Sequence, residues 1–260
     1  MRILALGDVF GRPGRNLIIS KAGEIRARYR ADFLIVNCEN ASGGSGVSSV
    51  NANELLAVSS VDVYTSGNHI WDKKDLNNII QQTDRILRPA NYPSPCPGRG
   101  WGVYRLGGVR IGVVNLSGTA FMESLNNPFL AFDEIYEKIH PSCDAIVVDF
   151  HAEATSEKIA FGYHADGRAN VVYGTHTHVQ TNDARILERG TGYLTDIGMT
   201  GPYDGVIGVD REIIVKNYIT QRRSRYETAQ GRTQLNGAVF VLDEKDFRCT
   251  GIELVREIYD

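Results

Sequence analysis

The sequence predicts an α/β protein of two packed β-sheets flanked by helices, and three observations carry that prediction. Short apolar, β-branched runs alternate with segments of helical periodicity from the first residues onward. The early runs are apolar on both faces, as strands of a largely parallel sheet covered by helices must be. The alternation then begins again in the second half of the chain, which calls for a second sheet with its own helices. At 260 residues and 42% hydrophobic, the chain has enough apolar material for a real core. It reads as one domain, 1–260.

The elements follow in order. A strand at 3–6 is followed by a helix at 16–30, a strand at 33–36 by a helix at 51–58, and a strand at 61–64 by a helix at 73–82. This βαβαβ opening demands right-handed crossovers. Residues 89–102, rich in Pro and Gly, form an irregular loop. Runs at 103–106 and 109–115 flank Gly107-Gly108, a pair able to take the positive φ of a tight hairpin turn. The second half offers a strand at 145–150, a helix at 156–163, and a strand at 169–173. Short strands at 184–187 and 193–195, a helix at 211–220 and terminal strands at 237–242 and 251–256 complete it.

Charge narrows the function. With 28 Lys+Arg against 31 Asp+Glu, the chain presents no broad basic field for long nucleic acid, so any phosphate recognition is local. No run approaches the roughly 18 apolar residues of a membrane span, and the N-terminus lacks a signal-peptide layout. The chain reads as cytoplasmic, with no membrane partner. Cys38, Cys96, Cys143 and Cys249 are scattered without zinc-ribbon spacing and read as reduced, mostly buried thiols.

Polar residues gather where the strands end. Gly7-Asp8 follows the first strand, Asn37-Cys38-Glu39-Asn40 the second, and Gly67-Asn68-His69 the third. His151 directly follows the run at 145–150, and Gly174-Thr175-His176-Thr177-His178 follows the run at 169–173. Carboxyl ends of parallel strands line one edge of a sheet, where ligands bind. Residues two apart in extended chain face the same side, so His176 and His178 can serve one site. Carboxylates, amide oxygens and imidazoles at one edge describe a centre for two transition-metal ions.

These five motifs, in this order, resemble the calcineurin-like metallophosphoesterases, whose general pattern is GD…GD…GNH…H…GHxH. The closer likeness is to the YmdB-type branch, bacterial phosphodiesterases acting on cyclic nucleotides. It is carried by Gly7-Asp8-Val9-Phe10-Gly11, the run from Asn37 to Asn40, Thr65-Ser66-Gly67-Asn68-His69, the run from Asp149 to Lys158, and the run from Gly174 to His178. The chain departs from the wider superfamily at Phe10, where a histidine ligand often stands, and at Glu39, where the bridging residue is usually aspartate. The branch shares both departures.

The resemblance implies a four-layer α/β/β/α sandwich and two divalent metal ions, iron or manganese. It assigns Asp8, Glu39 and His178 to one ion, and Glu39, Asn40, Asn68, His151 and His176 to the other, with Glu39 bridging. The loss of a histidine at Phe10 would leave the first ion one ligand short. A hydroxide between the ions would attack a small phosphodiester, such as a 2′,3′-cyclic nucleotide, while His69 protonates the leaving oxygen. An imidazole titrating near neutrality suits that task.

Other readings compete. Taken alone, Asp8 also suits a helix cap or an Asx turn. A regulatory or scaffold protein keeping the metal site for stability or ligand sensing is the alternative function, although such a site has no use for a proton donor. A dinucleotide fold fails because Gly7, Gly11 and Gly14 lack the GxGxxG spacing. Arg12 and Arg15, at the start of a helix, suit either phosphate binding or a solvated surface. The 117–123 segment suits a roof that stacks on a base, with Phe121 and Phe129 read first as core residues. Asp149 suits either a partner to His151 or a group that orients a loop. His140 and His164 lie outside the pattern, the 222–225 arginine cluster reads as a solvated helix end, and self-association stays open.

Overall fold

The computed structural model describes residues 1–260, and its strands divide between two sheets. The chain begins with β1 (Arg2–Leu6), β2 (Asp8–Val9), α1 (Gly11–Arg28), β3 (Phe33–Asn37), α2 (Ser49–Leu56), β4 (Val63–Thr65) and α3 (Leu76–Gln82). It continues with β5 (Trp101–Leu106), β6 (Val109–Ser117), α4 (Pro128–Ile139), β7 (Ala145–His151), α5 (Thr155–Ala165), β8 (Val171–Thr175), β9 (Arg185–Ile186) and β10 (Gly192–Leu194). It ends with β11 (Met199–Pro202), α6 (Arg211–Thr220), β12 (Thr233–Leu242) and β13 (Cys249–Tyr259).

One sheet runs β2-β11-β12-β1-β3-β4, with β13 on the other edge of β12; the second runs β5-β6-β7-β8-β10-β9. The pairs β1–β3 and β3–β4 are parallel, as are β6–β7 and β7–β8. The terminal strands do not stay with the second half of the chain. β12 crosses back to lie antiparallel to β1, from Arg2↔Val241 to Leu6↔Gly237. The two sheets therefore do not correspond to the two halves of the sequence.

Strand alternation explains the layers. On β1, Leu4 and Leu6 face a core shared with Leu17, Ile18 and Ile25 of α1, while Ile3 and Ala5 face the other way. That second core joins the sheets, since it also holds Val113 of β6, Val147 of β7, Val171 of β8 and Phe240 of β12. The opposite face of β7, through Ile146, Val148 and Phe150, packs on Phe132 and Ile135 of α4 and Phe161 of α5. Side chains of period two between helices of period 3.6 give three apolar layers and hence four structural ones.

Several bounds differ from the sequence reading. Helix α1 starts at Gly11, five residues early, because Gly11 takes φ +60 and turns the chain out of β2. Helix α4, capped by Asn127 and opened by Pro128, lies in a stretch where no helix bounds were assigned. No helix is long and apolar enough to cross a membrane.

Candidate metal centre

The carboxyl ends of β1, β3, β4, β7 and β8 bring Asp8, Glu39, Asn40, Asn68, His69, His151, His176 and His178 to one edge of the two sheets. Two glycines make the approach feasible. A Cβ on Gly7 would stand 1.8 Å from the carbonyl oxygen of Gly198, and one on Gly67 would stand 2.1 Å from His151 Nε2. Any side chain at either position would push β2 or the β7 histidine out of place.

Asp8, Glu39 and His151 form the floor and are buried to 1% exposure or less. Asp8 Oδ2 accepts the backbone N–H of His176 at 3.1 Å, and Glu39 Oε1 accepts that of His69 at 2.8 Å. The other oxygens, Asp8 Oδ1 and Glu39 Oε2, have no hydrogen-bond partner. Burial outweighs the neighbouring His178 and His151 at Asp8, raising its carboxyl above the ordinary range. At Glu39 burial acts the same way, but His151 and His69 overcome it and hold the group at about 2. Burial opposes the His151 imidazolium too, yet Glu39 and Asp8 sustain it to about 9.

The hydrogen bonds fix which nitrogen of each histidine faces the centre. Thr175 Oγ1 gives its single proton to Asp149 Oδ1 at 2.7 Å, so it accepts from His151 Nδ1 at 2.9 Å. His151 Nε2 then looks onto Asn68 Oδ1 and His176 Nδ1, each at 3.1 Å. His176 Nε2 is bound to Glu153 at 3.0 Å, which turns Nδ1 inward. Burial first, and the cationic His151 second, press the His176 imidazole down to about 3. His178 Nδ1 donates to the carbonyl of Ile207 at 3.0 Å, so Nε2 faces Asn40 Oδ1 at 3.1 Å. Asn40 itself is aimed by its amide N–H, which donates to Gly44 at 3.1 Å.

Asn40 lies apart from the residues with which the resemblance grouped it. The resemblance placed it with Asn68, His151 and His176, but its oxygen lies against His178. Phe10, standing where the wider superfamily often has a histidine, packs edge-on to His178 at 5.6 Å and pairs through its backbone with Asn40.

No three His, Cys, Asp or Glu donors surround one point in ready coordination geometry. The fit to a metal rests instead on the donors themselves. Two buried carboxylate oxygens lack partners, and Nε2 of His178, whose Nδ1 proton is spent on Ile207, points at the Asn40 oxygen, an arrangement that a cation between them would resolve. Asn40 faces His178 on one side, Asn68 and His176 face His151 on the other, and the carboxylates of Asp8 and Glu39 lie on the buried floor.

Above the floor lies a cavity of about 540 Å³, reached by His69, His176, His178, Glu153 and Tyr226. Other concavities, about 610 Å³ beside α1 and 560 Å³ beside α4, contain none of the clustered donors. His69 is 39% exposed, and its Nδ1 lies 2.8 Å from Asp72 Oδ2. That contact holds the proton on Nδ1 and leaves Nε2 for the cavity.

Asp72, Glu153 and Thr175 carry no assignment in the sequence reading, although Asp72 stands only three residues after His69. Asp149 acts on His151 through Thr175 rather than directly, and burial raises its own carboxyl to about 6. Arg15 is bound to Glu54 and to the carbonyl of Ala41, while Arg12 lines the concavity beside α1, so neither faces the cluster. Phe121, read first as core, is 92% exposed. Phe129 is partly buried against Phe161, while His164 pairs with Asp133 and His140 stacks on Tyr136, both away from the site.

Two sheets with helices outside and a carboxylate, amide and imidazole cluster at one edge define a class, the calcineurin-like phosphoesterases, which hydrolyse phosphoric esters. A Staphylococcus aureus structure assigned as a 5′-nucleotidase shares the fold, at 16% identity and a TM-score of 0.59 over 98% of this chain and 53% of the other. Residues 4–255 match the model of the YmdB-like proteins, and the chain belongs to that family. It is 44% identical over 255 residues to the 2′,3′-cyclic-nucleotide 2′-phosphodiesterase of Bacillus subtilis (strain 168), covering 98% of this chain and 96% of the other. The crystal structure of a Mycoplasma pneumoniae phosphatase, 35% identical, superposes with a TM-score of 0.92 over 100% of this chain and 94% of the other.

Proposed function

We propose that this chain is a dinuclear metal-dependent phosphodiesterase acting on a small phosphodiester, with a 2′,3′-cyclic nucleotide as its substrate. The observation that carries the reading is the pair of buried, unpartnered oxygens on Asp8 and Glu39 at the floor of the donor cluster. Glu39, with one oxygen free and the other held by His69 N–H, is suited to join the two metals. Asp8, Asn40 and His178 would complete one site, and Asn68, His151 and His176 the other. Bound divalent cations, iron or manganese, would polarise the phosphoryl oxygens and lower the pKa of water toward neutrality.

The chain's own residues supply the rest. His69 protonates the leaving oxygen through Nε2, and Asp72 stabilises the charge on the ring and keeps it oriented. Glu153 and Thr175 hold the ligand histidines with His176 Nδ1 and His151 Nε2 turned inward, where a bound metal would displace the His151 proton. No Lys or Arg lines the cavity above the cluster, which favours a singly charged diester over a dianionic monoester. Phe121, on a loop whose Thr119 and Ala120 N–H groups are held by Glu157 of α5, would offer an exposed aromatic face to the base of a nucleotide.

Elemental analysis of protein reconstituted with manganese or iron, followed by hydrolysis of bis-p-nitrophenyl phosphate and p-nitrophenyl phosphate, tests the reading. Two metals per chain with preference for the diester are expected. A metal content that never exceeds one, or a strong preference for the monoester, would sink it. A metal-loaded protein that binds nucleotides and hydrolyses no phosphoester would favour the sensing role instead.

A further inference from the structure

We infer that the buried Lys158–Asp196 ion pair is a positioning device that holds the His176-Thr177-His178 turn in its metal-binding shape. The inference rests on the metal-site reading above and concerns residues that lie outside the ligand set.

The turn is unusual backbone. His176 has φ +100 and His178 φ +64, a region that side-chain-bearing residues seldom adopt. Such conformations persist only where the surroundings over-determine them. Here the surroundings converge on the residue between the two histidines. Asp196 Oδ2 accepts the backbone N–H of Thr177 at 3.1 Å and its hydroxyl at 2.8 Å. Lys158 Nζ binds the same oxygen at 2.7 Å and the carbonyl of Thr175 at 2.8 Å, fixing the turn from the strand side. Asp196 Oδ1 is occupied by the N–H of Gly198 at 2.9 Å, so the carboxylate cannot rotate without losing a partner. Strand β8 also fits closely against this corner, since a Cβ on Gly174 would stand 1.9 Å from the carbonyl of Thr195.

Both charges are removed from water, Lys158 at 1% and Asp196 at 0% side-chain exposure. A buried ion pair is a poor stabiliser, because desolvation of both partners offsets their attraction and apolar residues of similar volume often serve as well. What the pair supplies that apolar residues cannot is direction. Lys158 gives protons to one end of the turn and Asp196 takes them from its centre, so the backbone between them has one arrangement. The sequence run from Asp149 to Lys158 thereby gains a role at its last residue, on a helix that contributes no ligand.

The test is isothermal titration of Mn²⁺ into the metal-stripped protein, alongside its melting temperature. Wild type is compared with Asp196→Asn, Lys158→Met, and a core variant on the same helix, Phe161→Leu, as a control for general destabilisation. Loss of a group that orients metal ligands typically weakens metal affinity ~10–100-fold, and that loss is expected for Asp196→Asn and Lys158→Met at both sites. Phe161→Leu should lower the melting temperature and leave Mn²⁺ affinity within about twofold of wild type.

A melting temperature that falls in Asp196→Asn while Mn²⁺ affinity stays at the wild-type value would overturn the inference and reduce the pair to a structural one. Equal affinity loss in Phe161→Leu would do the same. Where Asp196→Asn does not fold, Thr177→Val removes one contact to the carboxylate and keeps the pair. An affinity loss of severalfold supports positioning, and an unchanged affinity opposes it. Failure of wild type itself to bind Mn²⁺ or Fe²⁺ would overturn the metal reading, and the inference with it.

Discussion

Asp8, Glu39 and His151 are shut away from water, while His69 and Glu153, a few ångströms above them, keep 39% and 51% of their side-chain surface. The floor is made of groups that cannot be repaired locally. Removing one leaves a buried charge without its counter-charge, and water does not reach the gap. The rim is made of groups that solvent can replace. Substitution there removes a chemical task and leaves the architecture in place. On the proposed reading, the difference separates residues whose loss should abolish metal binding from those whose loss should slow a step or weaken a contact.

The largest effect is expected at the floor. Glu39→Ala should lose both metals, because the proposed function has this carboxylate serve both of them, and hydrolysis should fall to background. His178→Ala, on one group only, should keep about one metal per chain. Elemental analysis of both variants decides the matter, and a Glu39→Ala protein that retains two metals would break the proposed contrast. Metal should also stabilise the fold. At a free concentration a hundredfold above Kd, binding contributes about 2.7 kcal/mol, which for a chain of this size raises Tm by roughly 5–10 °C. Scanning fluorimetry with and without chelator measures it.

At the rim, His69→Ala should keep both metals and lose about 10²–10⁴-fold in turnover of a substrate with a poor alkoxide leaving group. A nitrophenolate, which departs without a proton, should feel far less. Asp72→Asn should reproduce the pattern more weakly, since it removes the charge that supports the imidazolium and keeps the ring. If His69→Ala strips a metal, or if both leaving groups suffer alike, His69 belongs with the floor.

The division also explains what the sequence could convey. Asp8, Glu39, Asn68, His151, His176 and His178 were legible because each directly follows an apolar run, and strand ends share an edge whatever the detailed packing. The grouping of Asn40 was not legible. Its direction depends on a hydrogen bond to Gly44 and on the packing of Phe10 against His178, neither of which leaves a mark in spacing. Asp72, Glu153, Thr175, Lys158 and Asp196 were hidden for the same reason. They act through partners up to 38 positions away, and polar residues near loops have many ordinary uses. In the fold, the parallel opening from β1 to β4 was readable from continuous apolar runs. The return of β12 to the side of β1 was not, since pairing across more than 200 residues has no local signature.

The smallest effect is expected at Phe121, and it asks whether the rim extends past the proton donor to the substrate's base. The ring is 92% exposed, and its backbone holds φ +62, a strained value for an aromatic residue. Its loop is nevertheless secured, because Glu157 accepts the backbone N–H groups of Thr119 and Ala120 at 2.9 and 3.2 Å, and Met122 sulfur meets the Glu153 N–H at 3.3 Å. An exposed ring on a fixed loop is available for stacking at little cost in ordering. Stacking on an aromatic side chain contributes about 1–3 kcal/mol per base, and 1.4 kcal/mol corresponds to tenfold in binding. Phe121→Ala should therefore raise KM for a 2′,3′-cyclic nucleotide by about tenfold, with kcat nearly unchanged. Ribose 2′,3′-cyclic phosphate, which has no base, should show the same KM with both proteins. An equal rise for both substrates would place Phe121 in the support of the loop, and no change for either would end the rim at His69.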